Sequence, residues 1–230
     1  MSGTLWWASA DDLVFSHTFL ITKSLWDTEK YLAKSTSCGR WQSDIVRDSL
    51  HWSRRYEYPW VLRKLYPSKE DIVMDAGAGA AVLQFALSQY VKELHNIDID
   101  KDFLQMVETI KQETGLFSNI VTTEADIRSL PHADDYFDKS ICISVLEHLP
   151  PADIRSGIDE ILRVTKKKVF ITMDICLYRL DDQPSNIIEM DAFTDMCKDL
   201  DIDVPPLPKS IMAGVVDNNY IIVACMEMWK

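Results

Sequence analysis

Asp75, Gly77 and Gly79 are the residues whose types and spacing point most clearly to a chemical role. They follow three apolar residues, 72–74, and precede the run 82–87, which predicts a helix. A buried strand, a tight turn and a helix start are the elements that a nucleotide site on a parallel sheet requires. Because glycine lacks a Cβ atom, the turn can take positive φ angles and a ligand can lie against its backbone. The segment therefore predicts a nucleotide-type binding site.

Two details narrow the class of ligand. A dinucleotide-binding pattern needs a third glycine at the position of Val82, and the Gly-Lys-Ser/Thr sequence of a P-loop does not follow here. Asp75 places a carboxylate at the strand end, where it would repel a pyrophosphate but suit a cationic group. We therefore expect an adenosine-like ligand with a positive charge near Asp75.

Several segments, in the same order along the chain, resemble class I S-adenosylmethionine-dependent methyltransferases. Asp75-x-Gly77-x-Gly79-x-Ala81 is similar to the first motif of this family, with alanine in place of the third small glycine. Residues 94–100, 124–131, 136–149 and 161–172 resemble the segments that follow it. The similarity spans residues 66–172 and is strongest to the small-molecule (type 11, ubiquinone-biosynthesis-like) group.

The resemblance implies that S-adenosylmethionine is the cofactor and S-adenosylhomocysteine the product. It implies that Asp98 binds the ribose hydroxyls, that Asp126 meets the adenine amino group and that the Ile127 amide donates to a ring nitrogen. The full set of core residues implied to bind the cofactor is Asp75, Gly77, Gly79, Asp98, Ile99, Asp126, Ile127 and Ser144.

The spacing of the acids agrees with these roles but leaves alternatives. Asp98 lies 23 residues after Asp75, close to the roughly 20-residue gap between a first turn and a ribose-binding acid. The alternative is that Asp98 is a strand-end turn acid, with Asp100 serving equally well. The ligand role is favoured for Asp98 because it directly follows the apolar Ile97. Asp126 is otherwise a helix N-cap or a turn residue.

Composition sets limits on the class of protein. A chain of 230 residues with 47% hydrophobic content suits one α/β domain with an appendage. The net charge of −12 argues against nucleic-acid binding, which needs a basic face. Five cysteines without a Cys-x-x-Cys pair favour a reducing, cytoplasmic location and no metal cluster. No apolar run is long enough to span a bilayer, so we expect no membrane partner.

Residues 66–230 alternate strand and helix signals, which predicts parallel strands with right-handed crossovers. The expected fold is α/β: a Rossmann-like, seven-stranded, mostly parallel sheet with helices on both faces and an antiparallel last strand. The predicted strands are 71–75, 94–98, 119–123, 138–144 and 168–174, with helices at 100–115 and 151–163 and a hairpin from 211–216 and 220–226.

Residues 1–65 are predicted to form a separate helical N-terminal cap, with an amphipathic helix at 42–60. Arg54 is a candidate for the methionine carboxylate of the cofactor, and Tyr58 or Trp60 for cation–π contact with its sulfonium. The alternative is that these side chains pack the cap onto the sheet, which is favoured for Trp60. The pair Trp6-Trp7 is expected to be buried, with substrate contact as one interpretation.

The expected reaction is direct, in-line methyl transfer to oxygen, nitrogen or carbon of a small molecule. His148 is the candidate general base at the carboxyl edge of the sheet, or else a packing histidine at a helix start. Asp174 and Tyr178-Arg179 lie where acceptor-binding loops belong. Two other interpretations stay open: a noncatalytic S-adenosylmethionine-binding partner or regulator, and another transferase of the aminopropyl type.

Overall fold

A computed structural model describes residues 2–7, 27–28, 52–180, 187–208, 213–216 and 219–230. Its strands are β1 Ser2–Trp7, β2 Ile72–Ala76, β3 Glu93–Asp98, β4 Ile120–Glu124, β5 Phe137–Ile143, β6 Thr165–Arg179, β7 Ala213–Val216 and β8 Asn219–Trp229. Its helices are α1 Arg54–Leu65, α2 Val82–Ser88, α3 Lys101–Thr114, α4 Pro151–Arg163 and α5 Met190–Asp199, with a 3-10 turn at Leu146–His148.

The strands form one sheet with the order β1-β8-β6-β5-β2-β3-β4, and β7 also pairs with β8. Strands β2 to β6 pair in parallel, whereas β8 runs antiparallel to β6. The strand order reverses at β2, since β3 and β4 lie on one side of it and β5 and β6 on the other. Ligands of open α/β sheets bind beyond the carboxyl ends of the strands at such a reversal, so the crevice between β2, β3 and β5 is the expected site.

The predicted Rossmann-like fold class is confirmed, including the antiparallel last strand and the β7–β8 hairpin. The helix predicted at 151–163 is α4, and the helix predicted at 100–115 is α3. The turn residues Asp217 and Asn218 of the hairpin lie outside the described residues. None of the helices in the described segments is long and apolar enough to cross a bilayer.

The structure adds one N-terminal strand to the seven strands of the predicted sheet. Residues 2–7 form an eighth strand, β1, which pairs antiparallel with β8. Leu5 and Trp7 point into the core while Trp6 between them is half-buried, which is the two-residue period of a strand. The buried Trp7 also donates from Nε1 to the carbonyl oxygen of Pro205 at 2.9 Å. Trp7 therefore anchors the sheet edge.

Helix α1 begins at Arg54, and the predicted helix residues 42–51 lie outside the described residues. Trp60 is buried, with its ring centroid 6.2 Å from that of Phe170 on β6 and 5.8 Å from that of Trp6. The packing interpretation of Trp60 is therefore the one the contacts support. The division into a cap at 1–65 and a core at 66–230 stays a prediction, because most of residues 8–51 are not described.

Candidate cofactor and acceptor site

The loop between β2 and α2 has the backbone shape that its glycines predict. Gly77 and Gly79 have φ angles of +73° and +54°. A Cβ atom on Gly77 would lie 2.5 Å from the side chain of Val145, whereas one on Gly79 would meet no atom within 4 Å. Gly77 is thus required for packing, and Gly79 turns its Cα toward open space where a ligand fits.

Asp98 lies at the end of β3, beside this loop, and is only 8% exposed. Its Oδ2 accepts a 2.8 Å hydrogen bond from the Gly79 amide, and its Oδ1 accepts one of the same length from the Asp100 amide. Each carboxylate oxygen can accept a further donor, such as a ribose hydroxyl. Asp100 instead caps α3 by accepting from the Asp102 amide at 2.8 Å. The two acids thus have different contacts, and Asp98, which the sequence favoured, is the one that borders the glycine loop.

Two neighbours of Asp98 complete this part of the crevice. Asp75 is buried in β2, paired with Asn96 of β3 on one side and Ile141 of β5 on the other. Ile99 is 67% exposed and follows Asp98 directly. An exposed apolar side chain at this position provides a surface on which a flat ring can lie.

Asp126 follows β4 and forms an ion pair with Arg128. The Asp126 carboxylate accepts from the Arg128 backbone amide at 2.9 Å and from its Nη2 at 2.6 Å. These hydrogen bonds lower the pKa of Asp126. An adenine amino group would share the carboxylate with this guanidinium. The side chain of Ile127 is buried in the core, so only its backbone can serve a ligand.

Arg54 joins α1 to the carboxyl end of β5. Its Nη1 donates to Glu57 Oε2 at 2.5 Å and to Ser144 Oγ at 2.7 Å. Glu57 is fully buried, and its Oε1 accepts from the hydroxyls of Ser144 at 2.6 Å and Thr172 at 2.5 Å. Burial alone would raise the pKa of Glu57, but Arg54 and the two hydroxyls lower it on balance. Tyr58 is also buried, and its ring centroid lies 5.9 Å from Arg54 Cζ.

A second group of acids follows β5 and crosses to β6. Glu147, on the 3-10 turn, is 3% exposed, and its Oε1 accepts from the Asp174 amide at 3.1 Å. Glu147 Oε2 and Asp174 Oδ1 have no hydrogen-bond partner among the described residues. Burial, with the Asp174 charge, raises the pKa of Glu147 to about 8. Burial, with the Glu57 charge, raises the pKa of Asp174 to about 7.

His148 lies beside Glu147 on the wall of a cavity. Partial burial, followed by the charge of Arg54, lowers the pKa of this histidine, so the neutral imidazole is favoured near pH 7. The cavity has a volume of about 620 Å³ and is enclosed by the 3-10 turn, the start of α4 and the start of α5. Apolar residues that include Leu149, Ile154 and Ile188 form most of its wall. It is large enough for a small organic acceptor.

The structure brings the predicted residues into two groups. The crevice at β2 and β3 holds Asp75, Gly77, Gly79, Asp98 and Ile99, and the end of β5 holds Ser144, His148 and Arg54. Sequence reasoning missed Glu57, whose spacing of three residues from Arg54 on one helix is a signal for an ion pair. It also missed Glu147 and its unpaired oxygen. The sequence carries no signal for this feature, because the burial of Glu147 depends on three separate elements.

Comparison with known proteins agrees with this geometry. Residues 73–168 match the family described as a methyltransferase domain. The matched segment includes the glycine loop, both crevice acids and the 3-10 turn.

Two curated relatives are similar to part of this chain. The uncharacterized methyltransferase YcgJ of Bacillus subtilis (strain 168) is 34% identical over 125 residues, which cover 54% of this chain and 48% of that protein. A ubiquinone biosynthesis O-methyltransferase of Shewanella sp. (strain ANA-3) is 28% identical over 78 residues, which cover 34% of this chain and 33% of that protein. The chain thus spans about half, or less, of the length of these relatives.

Among solved structures, the magnesium protoporphyrin IX methyltransferase ChlM of Synechocystis PCC 6803 with bound S-adenosylmethionine has the same fold. Its TM-score is 0.56 at 13% identity, and the superposition covers 94% of this chain and 99% of that one. The predicted resemblance to class I methyltransferases and the predicted fold are confirmed.

Proposed function

We propose that this protein is an S-adenosylmethionine-dependent methyltransferase that acts on a small molecule. The observation that carries the proposal is the joined unit of Gly79 and Asp98, which sits at the strand-order reversal inside a methyltransferase domain. It combines a backbone that a ligand can approach with an acid that has spare acceptor capacity.

The described residues fit the cofactor at several points. Asp98 holds the ribose hydroxyls, Ile99 lies against the adenine, and Asp126 with the Ile127 amide recognises its polar edge. Asp75 contributes negative charge toward the cationic end of the ligand. S-adenosylmethionine supplies a methyl group on a positively charged sulfur.

Arg54 and Tyr58 are proposed for the methionine end of the cofactor. Arg54 lies at the end of β5 beside Ser144, and its pairing with Glu57 fixes its direction. Five N–H donors on the guanidinium allow an arginine to serve several acceptors at once. Tyr58 then supports Arg54 through its ring face rather than by direct contact with the sulfonium.

The acceptor is proposed to occupy the 620 Å³ cavity beside His148 and Glu147. Alignment of an acceptor atom for in-line displacement supplies much of the rate of such a transfer. The apolar wall excludes water from the reacting atoms. His148, neutral near pH 7, is one candidate base for an acceptor that arrives protonated.

A noncatalytic cofactor-binding partner is the second candidate, and the cavity is the feature that weighs against it, since a partner needs no acceptor space. An aminopropyl-type transferase is a third, and the position of Arg54 weighs against it because a decarboxylated donor has no carboxylate to bind. The small-molecule acceptor is a proposal that rests on the family resemblance. The cytoplasmic location and the lack of nucleic-acid and membrane partners are proposals that rest on the composition.

The test is formation of S-adenosylhomocysteine, measured by mass spectrometry with a panel of small amines, phenols, alcohols and acids. The proposal expects acceptor-dependent product in the wild type and a large loss in Asp98→Ala. Tight S-adenosylmethionine binding without product from any acceptor would favour the noncatalytic partner. Transfer of an aminopropyl group from the decarboxylated donor would favour the third candidate.

A further inference from the structure

The cavity beside the 3-10 turn contains a buried carboxylate oxygen with no partner. Glu147 lines the cavity, and only 3% of its surface is exposed. Its Oε2 accepts no hydrogen bond from the described residues. A buried polar group that lacks a hydrogen bond is costly, and native proteins rarely leave one unpaired. A ligand that fills the cavity is therefore expected to bring a donor to this atom.

The charges around the cavity indicate what kind of donor. Among the described lining residues, the ionisable ones are Glu147, Glu189 and His148, and none is a lysine or an arginine. Glu189 forms an ion pair with Arg179 at the rim. The other described lining residues are apolar. A carboxylate-bearing ligand would find no lysine or arginine among them to pair with, whereas an ammonium group could pair with Glu147 once Glu147 has lost its proton.

The groups that face Glu147 from neighbouring elements strengthen this preference. Asp174 faces it from β6 and Glu57 from α1, both as acids, and the Cys142 thiol lies near it on β5. Among the described side chains near these acids, Arg54 is the cation, and Glu57 pairs with it at 2.5 Å. Acids thus outnumber the cation around the unpaired oxygen.

We propose that this cavity binds the methyl acceptor as an apolar amine, and that an N–H of its ammonium group donates to Glu147 Oε2. The inference rests on the proposed function, because it names the acceptor class of the same site. Glu147 is then a catalytic residue, and Asp174, which holds its other oxygen through a backbone amide, is a positioning residue.

The same contact provides a route for the proton. An ammonium nitrogen has no free electron pair, so it must lose one proton before it can react. The proton passes from nitrogen to Glu147 Oε2, and the released electron pair forms the nitrogen–carbon bond while the sulfur–carbon bond breaks and its electrons stay on sulfur. The positive charge ends on the methylated nitrogen. The pKa of about 8 that burial gives Glu147 brings it closer to that of an amine and eases this transfer.

The test is calorimetric titration of the full chain, saturated with S-adenosylhomocysteine, with three probes of one shape. These are 2-phenylethylamine, 2-phenylethanol and 3-phenylpropionate. We expect the amine to bind at least about tenfold more tightly than the other two, as charge-assisted hydrogen bonds predict. Glu147→Gln should weaken amine binding about tenfold or more and leave the alcohol unchanged. Asp159→Asn, which removes one negative charge from an exposed position of α4 outside the cavity, is the matched control and should leave amine binding unchanged.

A second measurement in the same titrations reports the protonation of Glu147. Because Glu147 holds a proton near pH 7 in the empty cavity, an arriving ammonium should displace it, so the heat of binding should depend on the ionisation heat of the buffer. This dependence should disappear in Glu147→Gln, which a merely structural role of Glu147 would not cause. Asp174→Asn keeps the backbone amide that donates to Glu147 but removes a neighbouring acid, so it should weaken amine binding several-fold through charge alone. It serves as the second variant if Glu147→Gln does not fold.

Three outcomes would overturn the proposal: equal or tighter binding of the carboxylate, no detectable amine binding, or unchanged amine affinity in Glu147→Gln. Titration with S-adenosylhomocysteine shows whether a negative result concerns the amine acceptor or the proposed methyltransferase function. A protein that binds S-adenosylhomocysteine but not the amine contradicts only the acceptor class. A protein that does not bind S-adenosylhomocysteine contradicts the proposed function itself.

Discussion

The backbone amide of Gly79 donates a 2.8 Å hydrogen bond to Asp98 Oδ2, so the loop after β2 and the acid that ends β3 form one unit. The amides of Gly77 and Ala78 also donate to the carbonyl oxygen of Ile97, at 2.7 and 3.1 Å. Three hydrogen bonds thus tie the glycine loop to the neighbouring strand. Because these contacts follow from strand pairing, the cofactor crevice is shaped before any ligand arrives.

Asp98→Ala is expected to weaken cofactor binding by about 1–3 kcal/mol, since it removes the ribose acceptor and leaves the Gly79 amide unpaired. Calorimetric titration with S-adenosylhomocysteine measures the loss. The control is Asp100→Ala, which removes the cap of α3 and should cost about 1 kcal/mol of folding stability with cofactor affinity unchanged. Equal affinities in the two variants would show that Asp98 does not contact the ligand.

Replacing Gly77 and Gly79 by alanine, one at a time, should show which glycine is needed for packing and which for the approach of a ligand. Both positions have positive φ, so each substitution costs about 1–2 kcal/mol of backbone strain. Gly77→Ala also drives a Cβ into Val145 and should destabilise the fold more than Gly79→Ala does.

The two glycine variants are compared by urea unfolding and by S-adenosylhomocysteine titration. Gly79→Ala should mainly lower ligand affinity, and Gly77→Ala mainly folding stability. Adding Val145→Ala to Gly77→Ala should restore part of the stability. If the double variant is less stable than the single one, the close approach to Val145 is not the cause.

Glu57→Gln should lower the free energy of unfolding by about 3 kcal/mol, because it leaves Arg54 without its carboxylate in a mostly buried position. The matched control is Asp159→Asn, which breaks the exposed Arg155–Asp159 pair of α4 and should change stability by less than about 0.5 kcal/mol. Urea unfolding measures both. Similar losses for the two variants would mean that the Arg54–Glu57 pair stabilises no more than a surface contact.

The raised pKa of Glu147 predicts a pH dependence of stability. The folded state keeps a proton on Glu147 up to about pH 8, whereas an unfolded glutamate releases it near its usual 4.5. Between these values the folded state binds more protons, so stability falls as pH rises, by at most about 1.4 kcal/mol per pH unit.

Urea unfolding from pH 5 to pH 8 should show this fall in the wild type relative to Glu147→Gln. The difference between the two proteins isolates Glu147 from the histidines. The lowered pKa of His148 acts in the opposite direction, adding stability as pH rises, and does so in both proteins. The lowered pKa of Glu57 contributes no slope above about pH 5, because its stabilisation is lost only as pH falls below that range. Parallel stability curves for the two proteins would contradict a raised pKa at Glu147.

Much of the fold was predictable because β2–α2 and β3 carry local signals. An apolar strand that ends in Asp75, two glycines and a helix start specify the loop, and the distance to Asp98 specifies the neighbouring strand. The edge strand β1 was not predicted, since two adjacent tryptophans do not show which of them faces the core. That depends on pairing with β8, more than two hundred residues later in the chain.

The acceptor side was less predictable for the same reason. Arg54 was identified as a candidate, but its pairing with Glu57 and Ser144 requires α1 to dock against the ends of β5 and β6. Glu147 resembled a motif residue of no particular role until its burial left one oxygen unpaired. Contacts between distant elements, and the desolvation they cause, are not encoded in the spacing of residues along one segment.

The most direct test of the account is calorimetric titration of the purified wild-type chain with S-adenosylhomocysteine, with NAD as the comparison ligand. We expect a single site of about micromolar affinity for S-adenosylhomocysteine, a marked loss of that affinity in Asp98→Ala, and no heat from NAD. Binding of NAD, or no binding of S-adenosylhomocysteine by the folded wild type, would contradict the assignment of the crevice between β2 and β3.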